Sequence, residues 1–234
     1  LAGARSIIIT PPVGVDLTGF GGRSGPSEGV HDDLRACALY LSTGDEALLI
    51  ITTDLIGLHH EEVARVRAGI SARAGLTSDR VMIGCSHTHS GPATRCLNCL
   101  GKQDDEYLCE LERRLIGLGA WAASVAEPAQ LGSSRPEVSV GINRREWRDG
   151  HIVLGVNEIG PTAPYADVLY VDDLQGRPLA RLFCHAAHAV TLGGENLLLS
   201  GDWPGYAQRK AASKAKGKLR GRGIAAYIEA CGIA

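Results

Sequence analysis

LRACALYLSTGDEALLIITT, Leu34 to Thr53, holds two β-rich runs, Leu34 to Leu41 and Ala47 to Thr53, on either side of Ser42-Thr43-Gly44-Asp45. Small polar residues with a glycine between two such runs are a hairpin signal. The period then changes: from His59 to Ala74, Val63, Val66 and Ile70 recur at helical spacing. Val81 to Cys85 reads as a buried strand. The same order returns later. Val168 to Val171 and Leu179 to His185 flank Gln175-Gly176, Trp203 to Ala215 reads as a helix, and Ile224 to Ile228 as a closing strand. Hairpins inside this order argue against a Rossmann domain. They predict an α/β layered fold of mixed β-sheets flanked by helices, with an internal repeat of a hairpin-helix-strand unit.

Outward from these segments, Ser6 to Thr10 reads as a short strand stopped by Pro11-Pro12, and Gly19 to Gly29 as a glycine-rich loop. Asp104 to Ala126 is the longest helical pattern, with Tyr107, Leu108, Leu111, Leu115 and Leu118 as its apolar stripe and Pro128 beyond its end. Val138 to Ile142 reads as strand-like. No linker or low-complexity segment divides residues 1–234.

The 234 residues can bury a substantial core, and a formal net charge of -2 with mixed charges points to neither nucleic acid nor a membrane surface as partner. The apolar runs Ala47 to Ile51 and Leu197 to Leu199 are far too short to span a bilayer. Seven cysteines form no disulfide scaffold, which favours reduced thiols. Cys96 and Cys99 make a C-x-x-C with no second pair at zinc-ribbon spacing, so they and Cys109 read as loop and helix cysteines. No basic segment followed by an apolar stretch marks a signal peptide, although the chain opens at Leu1 and its true N-terminus is left open. Reduced thiols and no visible signal favour the cytoplasm.

His87-Thr88-His89 carries the sharpest chemistry. Side chains two apart on an extended segment share a side, so both imidazoles can converge on one site, and Ser90-Gly91-Pro92 ends the strand there. Imidazole is the commonest protein metal ligand. Histidines at a strand end also simply bond loop backbone, so the tripeptide leaves both readings open. A second cluster is Cys184-His185-Ala186-Ala187-His188, followed by Ser200-Gly201-Asp202-Trp203-Pro204-Gly205. A spacing of three on a strand end does not put both histidines on one face, so one of them is expected to function. His59-His60 reads as a solvated helix start near Glu61 and Glu62. Arg144 and Arg145 follow the Val138 to Ile142 run and read first as surface residues, although an arginine turned into a cleft can steady an oxyanion. The basic run from Arg209 to Arg222 lacks aromatics and reads as solvated helix and loop.

Together these segments resemble the N-terminal catalytic domain of the neutral/alkaline non-lysosomal ceramidase family. The resemblance runs through Ile9-Thr10-Pro11-Pro12 with Gly19 and Gly21-Gly22, His31-Asp32-Asp33-Leu34, Asp54, Ser86 to Pro92, Asp105-Glu106-Tyr107, Ile142-Asn143-Arg144-Arg145, Phe183 to Gly194, and Ser200 to Gly205. It implies a zinc-dependent hydrolase that cleaves the amide of ceramide-like N-acyl lipids. Zinc would be held by His87 and His188 and by a glutamate and a tyrosine much further on. His89 and Arg144 would stand beside the substrate as catalytic residues, and Gly19 would line the pocket. The partner implied is a lipid or small-molecule substrate, with no protein or nucleic acid. Members of this family are often secreted, against the cytoplasmic preference above. His188 lacks the proline that usually follows the ligand histidine, so His185 competes for the role. Ile224 to Gly232 resembles the strand before the family's catalytic serine, but Ile233 replaces the expected asparagine or aspartate. The domain is therefore expected to be incomplete at its C-terminus, with few zinc ligands of its own, weak zinc binding and little turnover.

Three functions follow from these residues. The first is an amidohydrolase of ceramide type or a relative acting on another amide or ester; the second is an inactive scaffold or binding module of the same fold. A two-metal phosphoesterase, built on Asp54 and Asp202, would need a denser carboxylate cluster and ranks last.

Overall fold

The computed structural model describes residues 1–97, 100–217 and 222–225. Its strands and helices are β1 (Ala2–Ile8), β2 (Gly29–Val30), β3 (Arg35–Thr43), β4 (Glu46–Thr53), α1 (His60–Ala74), β5 (Val81–Cys85) and α2 (Asp105–Ser124). They continue with β6 (Ala129–Ser134), β7 (Asn143–Arg148), β8 (His151–Asn157), β9 (Ala166–Asp173), β10 (Pro178–His185), β11 (Leu198–Leu199), α3 (Asp202–Gly217) and β12 (Arg222–Ala225). No helix of the described residues is long and apolar enough to cross a membrane.

The Leu34–Thr53 hairpin forms the centre of the first sheet, whose order is β1-β3-β4-β5. Thr43 pairs with Glu46, so Gly44 and Asp45 are the turn, and Gly44 takes the positive φ of 55° that glycine adopts without strain. β1 and β4 flank β3 antiparallel, while β5 lies parallel to β4 after the α1 crossover. β3 is buried on both faces. Ala36 and Ala38 join the core under the helices, whereas Cys37 and Leu39 face Val171 and Ala180 of the second sheet. That is why its run is nearly all apolar instead of alternating.

α1 and α2 cover the first sheet. Val66 and Ile70 from α1, and Tyr107, Leu111, Leu115 and Leu118 from α2, meet Leu49, Ile51 and Val81. The Asp104 side chain caps α2 by accepting from the Tyr107 amide at 2.9 Å, and α1 ends at Gly75 with φ 69°. The second sheet has the order β12-β10-β9-β6, with β6 and β10 antiparallel to β9 and β12 parallel to β10 after α3. Both sheets thus share one order of connection: an edge strand, a hairpin, a helix and a parallel strand.

Some expectations move. The first strand is Ala2–Ile8, set by pairing with β3, and not Ser6 to Thr10. Val138 to Ile142 is not a strand: Val140 and Ile142 lie exposed with no strand to pair with, and regular structure starts at Asn143. There β7 and β8 form a separate antiparallel ribbon. Positions 226–228 of the closing strand, Ile233, and Cys99 of the C-x-x-C lie outside the described residues.

Candidate metal centre

β5 runs parallel to β4 as far as Cys85 opposite Thr53, and the chain leaves it as irregular backbone. Ser86, Thr88 and Ser90 are almost fully buried, and they alternate with His87 and His89, which are half-buried. The alternation separates anchors from half-buried rings. The Ser86 amide donates to the Thr53 carbonyl at 2.8 Å and the His87 amide to that of Leu55 at 2.9 Å. Thr88 Oγ1 donates to the Ser200 carbonyl at 2.8 Å, and the Ser200 amide donates to the Ser90 carbonyl at 2.9 Å. His87 itself takes a positive φ of 57°, a left-handed conformation uncommon for a residue with a side chain.

The Ser200–Gly205 segment is fixed in turn by Asp32. Ser200 Oγ donates to Asp32 Oδ2 at 2.5 Å, the Gly201 amide to Oδ1 at 3.1 Å, and Arg209 Nη1 to the same Oδ1. Burial pushes the Asp32 carboxyl up, but hydrogen bonds from Ser200, His31 and Gly201, with the Arg209 charge, hold it below the ordinary aspartate value. Asp54 is different. Burial raises it to about 6 against the Arg35 amide and the Gln208 side chain, which donate to it at 2.9 Å each.

The second histidine segment follows β10. His188 sits in a tight turn in which the Val190 amide donates to the His188 carbonyl at 3.0 Å, and Ala189, fully buried, accepts the His89 amide at 3.2 Å. Three rings then meet. The His87–His89, His87–His188 and His89–His188 centroids are 5.0, 4.8 and 4.7 Å apart, all edge-to-face. His89 Nε2 and His188 Nε2 are 2.8 Å apart. One nitrogen from each of the three rings lies within 4.8 Å of the others. His87 Nδ1 lies 2.8 Å from the Ile56 carbonyl. A carbonyl only accepts, so His87 carries its proton on Nδ1, which fixes the tautomer of its ring. Three such rings, one with its tautomer fixed by backbone, are a donor set that suits zinc. Among the described residues it is the only grouping of this kind.

His185 does not join them. Its Nδ1 donates to the Tyr165 carbonyl at 2.8 Å and its ring packs edge-on against Trp203 at 6.1 Å. A residue spacing of three, bent through a turn, sends the two histidines to different sides. Gly19 stands directly behind the His89 ring. With φ at 98°, it places its Cα hydrogen where a Cβ would lie 2.4 Å from His89 Cγ, so any side chain there displaces the ring. Phe20 meets the same ring edge-on at 5.0 Å. Arg23 donates to the His89 carbonyl at 2.7 Å and to the Thr18 carbonyl at 2.9 Å. Phe20 and Arg23 went unrecognised in the sequence; the signal was an arginine embedded in the glycine-rich loop.

Arg144 lies half-buried on β7, and its side chain makes no hydrogen bond or ion pair among the described residues. The entry to its strand does approach the second histidine turn: a Cβ on Gly141 would sit 2.9 Å from the Ala186 carbonyl oxygen. Asp202 accepts from Thr191 Oγ1 and the Trp203 amide at 2.6 Å each. Asp54 and Asp202 are both turned to such donors and neither is in the histidine group, so among the described residues the phosphoesterase reading has no carboxylate cluster to stand on.

No family model matches the chain. Neutral ceramidase A of Dictyostelium discoideum is 23% identical over 245 residues, covering 96% of this chain and 33% of that protein. Neutral ceramidase B of the same organism is 24% identical over 213 residues, covering 82% and 29%. The chain thus spans about a third of the length of the curated relatives it matches. The crystal structure of neutral ceramidase from Pseudomonas aeruginosa superposes with a TM-score of 0.77 at 22% identity, over 97% of this chain and 37% of that one. A ceramidase complexed with C2 gives 0.79 at 21%, over 97% and 36%. With its fold shared and its sequence similar over nearly its whole length, this chain is neutral ceramidase-like.

Proposed function

We propose that this chain carries the metal-binding part of a zinc-dependent hydrolase that cleaves the amide bond of ceramide-like N-acyl lipids, and that it corresponds to the N-terminal catalytic domain of such an enzyme. The observation that carries this reading is the meeting of His87, His89 and His188 on a fold shared with neutral ceramidases. His87 and His188 are the ligands, with the His87 ring oriented by its proton on Nδ1 and the Ile56 carbonyl. Zinc held there supplies a Lewis acid that polarises a carbonyl and lowers the pKa of water to about 7. His89 stands at the same point, backed by Gly19 and Phe20, where it can give or take a proton at Nε2. Arg144 cannot become a ligand, because it does not lose its charge. It can donate to the amide oxygen as that oxygen becomes anionic, when substrate lies between β7 and the rings.

The test is release of sphingoid base from a short-acyl ceramide by the purified chain with one equivalent of zinc. Slow release that stops on chelation and in His188→Ala is the expected outcome. Release indifferent to both contradicts the proposal. Full zinc occupancy with no release would assign the chain to the second reading, a scaffold of the same fold without turnover. Arg144→Ala should lower release with zinc still bound, and loss of zinc in that variant would give Arg144 a structural role instead.

A further inference from the structure

The glycine-rich loop holds an arginine that answers no charge. Arg23 is half-buried, burial pushes its guanidinium below the ordinary arginine value, and no carboxylate pairs with it among the described residues. Its buried Nε–H meets no acceptor among them either. A cation drawn out of water without a counter-ion is costly, so stability alone does not account for it. Its donors go to two backbone carbonyls, that of His89 at 2.7 Å and that of Thr18 at 2.9 Å. We infer that Arg23 is a positioning residue: it clamps the loop onto His89 and so holds that imidazole in place for proton transfer. The inference rests on the part in catalysis proposed above for His89.

Three routes lead from this one guanidinium to one residue. The first is direct, through the His89 carbonyl. The second runs through Thr18, which is fully buried. Arg23 holds its carbonyl, its amide donates to the Gly91 carbonyl at 3.1 Å, and the next residue, Gly19, stands against His89 Cγ. The third runs through Phe20, whose ring lies 5.2 Å from the guanidinium and meets His89 edge-on at 5.0 Å. The loop between these anchors has little else to hold it. Gly21 and Gly22 are exposed, Gly22 takes a φ of 77°, and a Cβ there would meet nothing within 4 Å. Such backbone is free to move unless something at its ends is fixed. A planar fork suits that task, because it sets two carbonyls in one geometry, whereas an ammonium is a point charge on a flexible stem. Loosening the fork releases the Gly19 and Phe20 supports together with the main chain of His89.

The test begins with release of sphingoid base by the zinc-loaded chain. Arg23→Met keeps bulk over Phe20 and removes both donors, and a misplacement of about 1 Å costs up to about 100-fold in rate. Its kcat should fall by about 10–100-fold with KM within about 2-fold, the mark of an interaction made only in the transition state. Arg23→Lys, which keeps the charge without the fork, should lie between Arg23→Met and the unmodified chain. An unchanged kcat in Arg23→Met, or a loss that only follows the folded fraction measured by circular dichroism, overturns the inference. Histidine-ring NMR of the zinc-free chain gives a readout that needs no turnover, with the His89 signal identified by its absence from His89→Gln. In Arg23→Met that signal should shift or broaden, while those of the exposed His60 and His151 stay in place. An unmoved His89 signal overturns the inference. If the unmodified chain releases no sphingoid base and His89 still moves in Arg23→Met, the hydrolase reading fails and the clamp stands.

Discussion

Gly19 and His89 show how closely a single hydrogen can be placed for chemistry. A methyl group at position 19 would overlap the imidazole at 2.4 Å, on a backbone already at φ 98°. Gly19→Ala should cost about 1–3 kcal/mol of stability from overpacking and strain. It should also lower release of sphingoid base with zinc still bound, because the displaced ring is the one placed to move a proton; a release assay and urea melts measure the two. Unchanged release would mean that the ring is not braced there. Asp54 makes a different prediction, from its carboxyl raised by burial to about 6. Folded Asp54 keeps its proton up to that pH, whereas the unfolded chain loses it near 4. Between those values the folded state binds more protons, so this group makes stability fall as pH rises from about 4 to about 6, by on the order of 2–3 kcal/mol. In Asp54→Asn the amide can still accept from Arg35, and Gln208 can turn its oxygen toward it. The difference between wild-type and Asp54→Asn melts should show that slope, and a flat difference would contradict the buried neutral carboxyl. Part of this scale was legible: the spacing of His87 and His89 allowed convergence on an extended segment, and the structure brings the rings together with His87 at a φ of 57° instead. The resemblance pointed to His188, but the residues alone kept His185 as a competitor, because the outcome depends on a turn that sends one ring to Trp203 and the other to His87 and His89.

The helices carry a sharper contrast. Gly117 and Gly119 lie two residues apart on α2, but a Cβ on Gly117 meets nothing within 4 Å, while one on Gly119 would lie 2.9 Å from both Ile70 Cδ1 and Leu49 Cδ2. Alanine is better than glycine in a helix by about 1 kcal/mol. Gly117→Ala should therefore stabilise by roughly 0.5–1 kcal/mol, whereas Gly119→Ala should destabilise by about 1–3 kcal/mol as α2 is pushed off α1 and β4. Urea denaturation of the two variants decides it, and equal shifts would contradict the packing of the first layer. Elements with a buried face were readable for the same reason that this contrast exists. Tyr107, Leu111, Leu115 and Leu118 repeat at helical spacing because they are pressed onto one sheet. The β7–β8 ribbon was missed because Trp147, Ile152, Leu154 and Val156 stay exposed and no core face imposes a pattern.

Across the whole molecule, two sheets with one order of connection face each other through Ala2, Ala4, Cys37, Leu39, Val171 and Ala180. The two crossovers, β4–α1–β5 and β10–α3–β12, join parallel strands and should both be right-handed. In an experimental structure the β1-β3-β4-β5 sheet with α1 should superpose on β6-β9-β10-β12 with α3, strand for strand. A left-handed crossover in either half would rule out a duplicated unit. The hairpin turns were plain in the sequence. The way the Asp32, Ser90 and Ser200 segments are stitched together was not, because those hydrogen bonds join residues 110 and 168 positions apart.

The most direct check on the account is an anomalous difference map at the zinc edge, from crystals of the chain grown with equimolar zinc. One peak is predicted about 2.0–2.1 Å from a ring nitrogen of His87 and one of His188, with His185 remote from it. No peak at these rings, or zinc bound instead at His185 or among the cysteines, would contradict a metal-dependent hydrolase site in this fold.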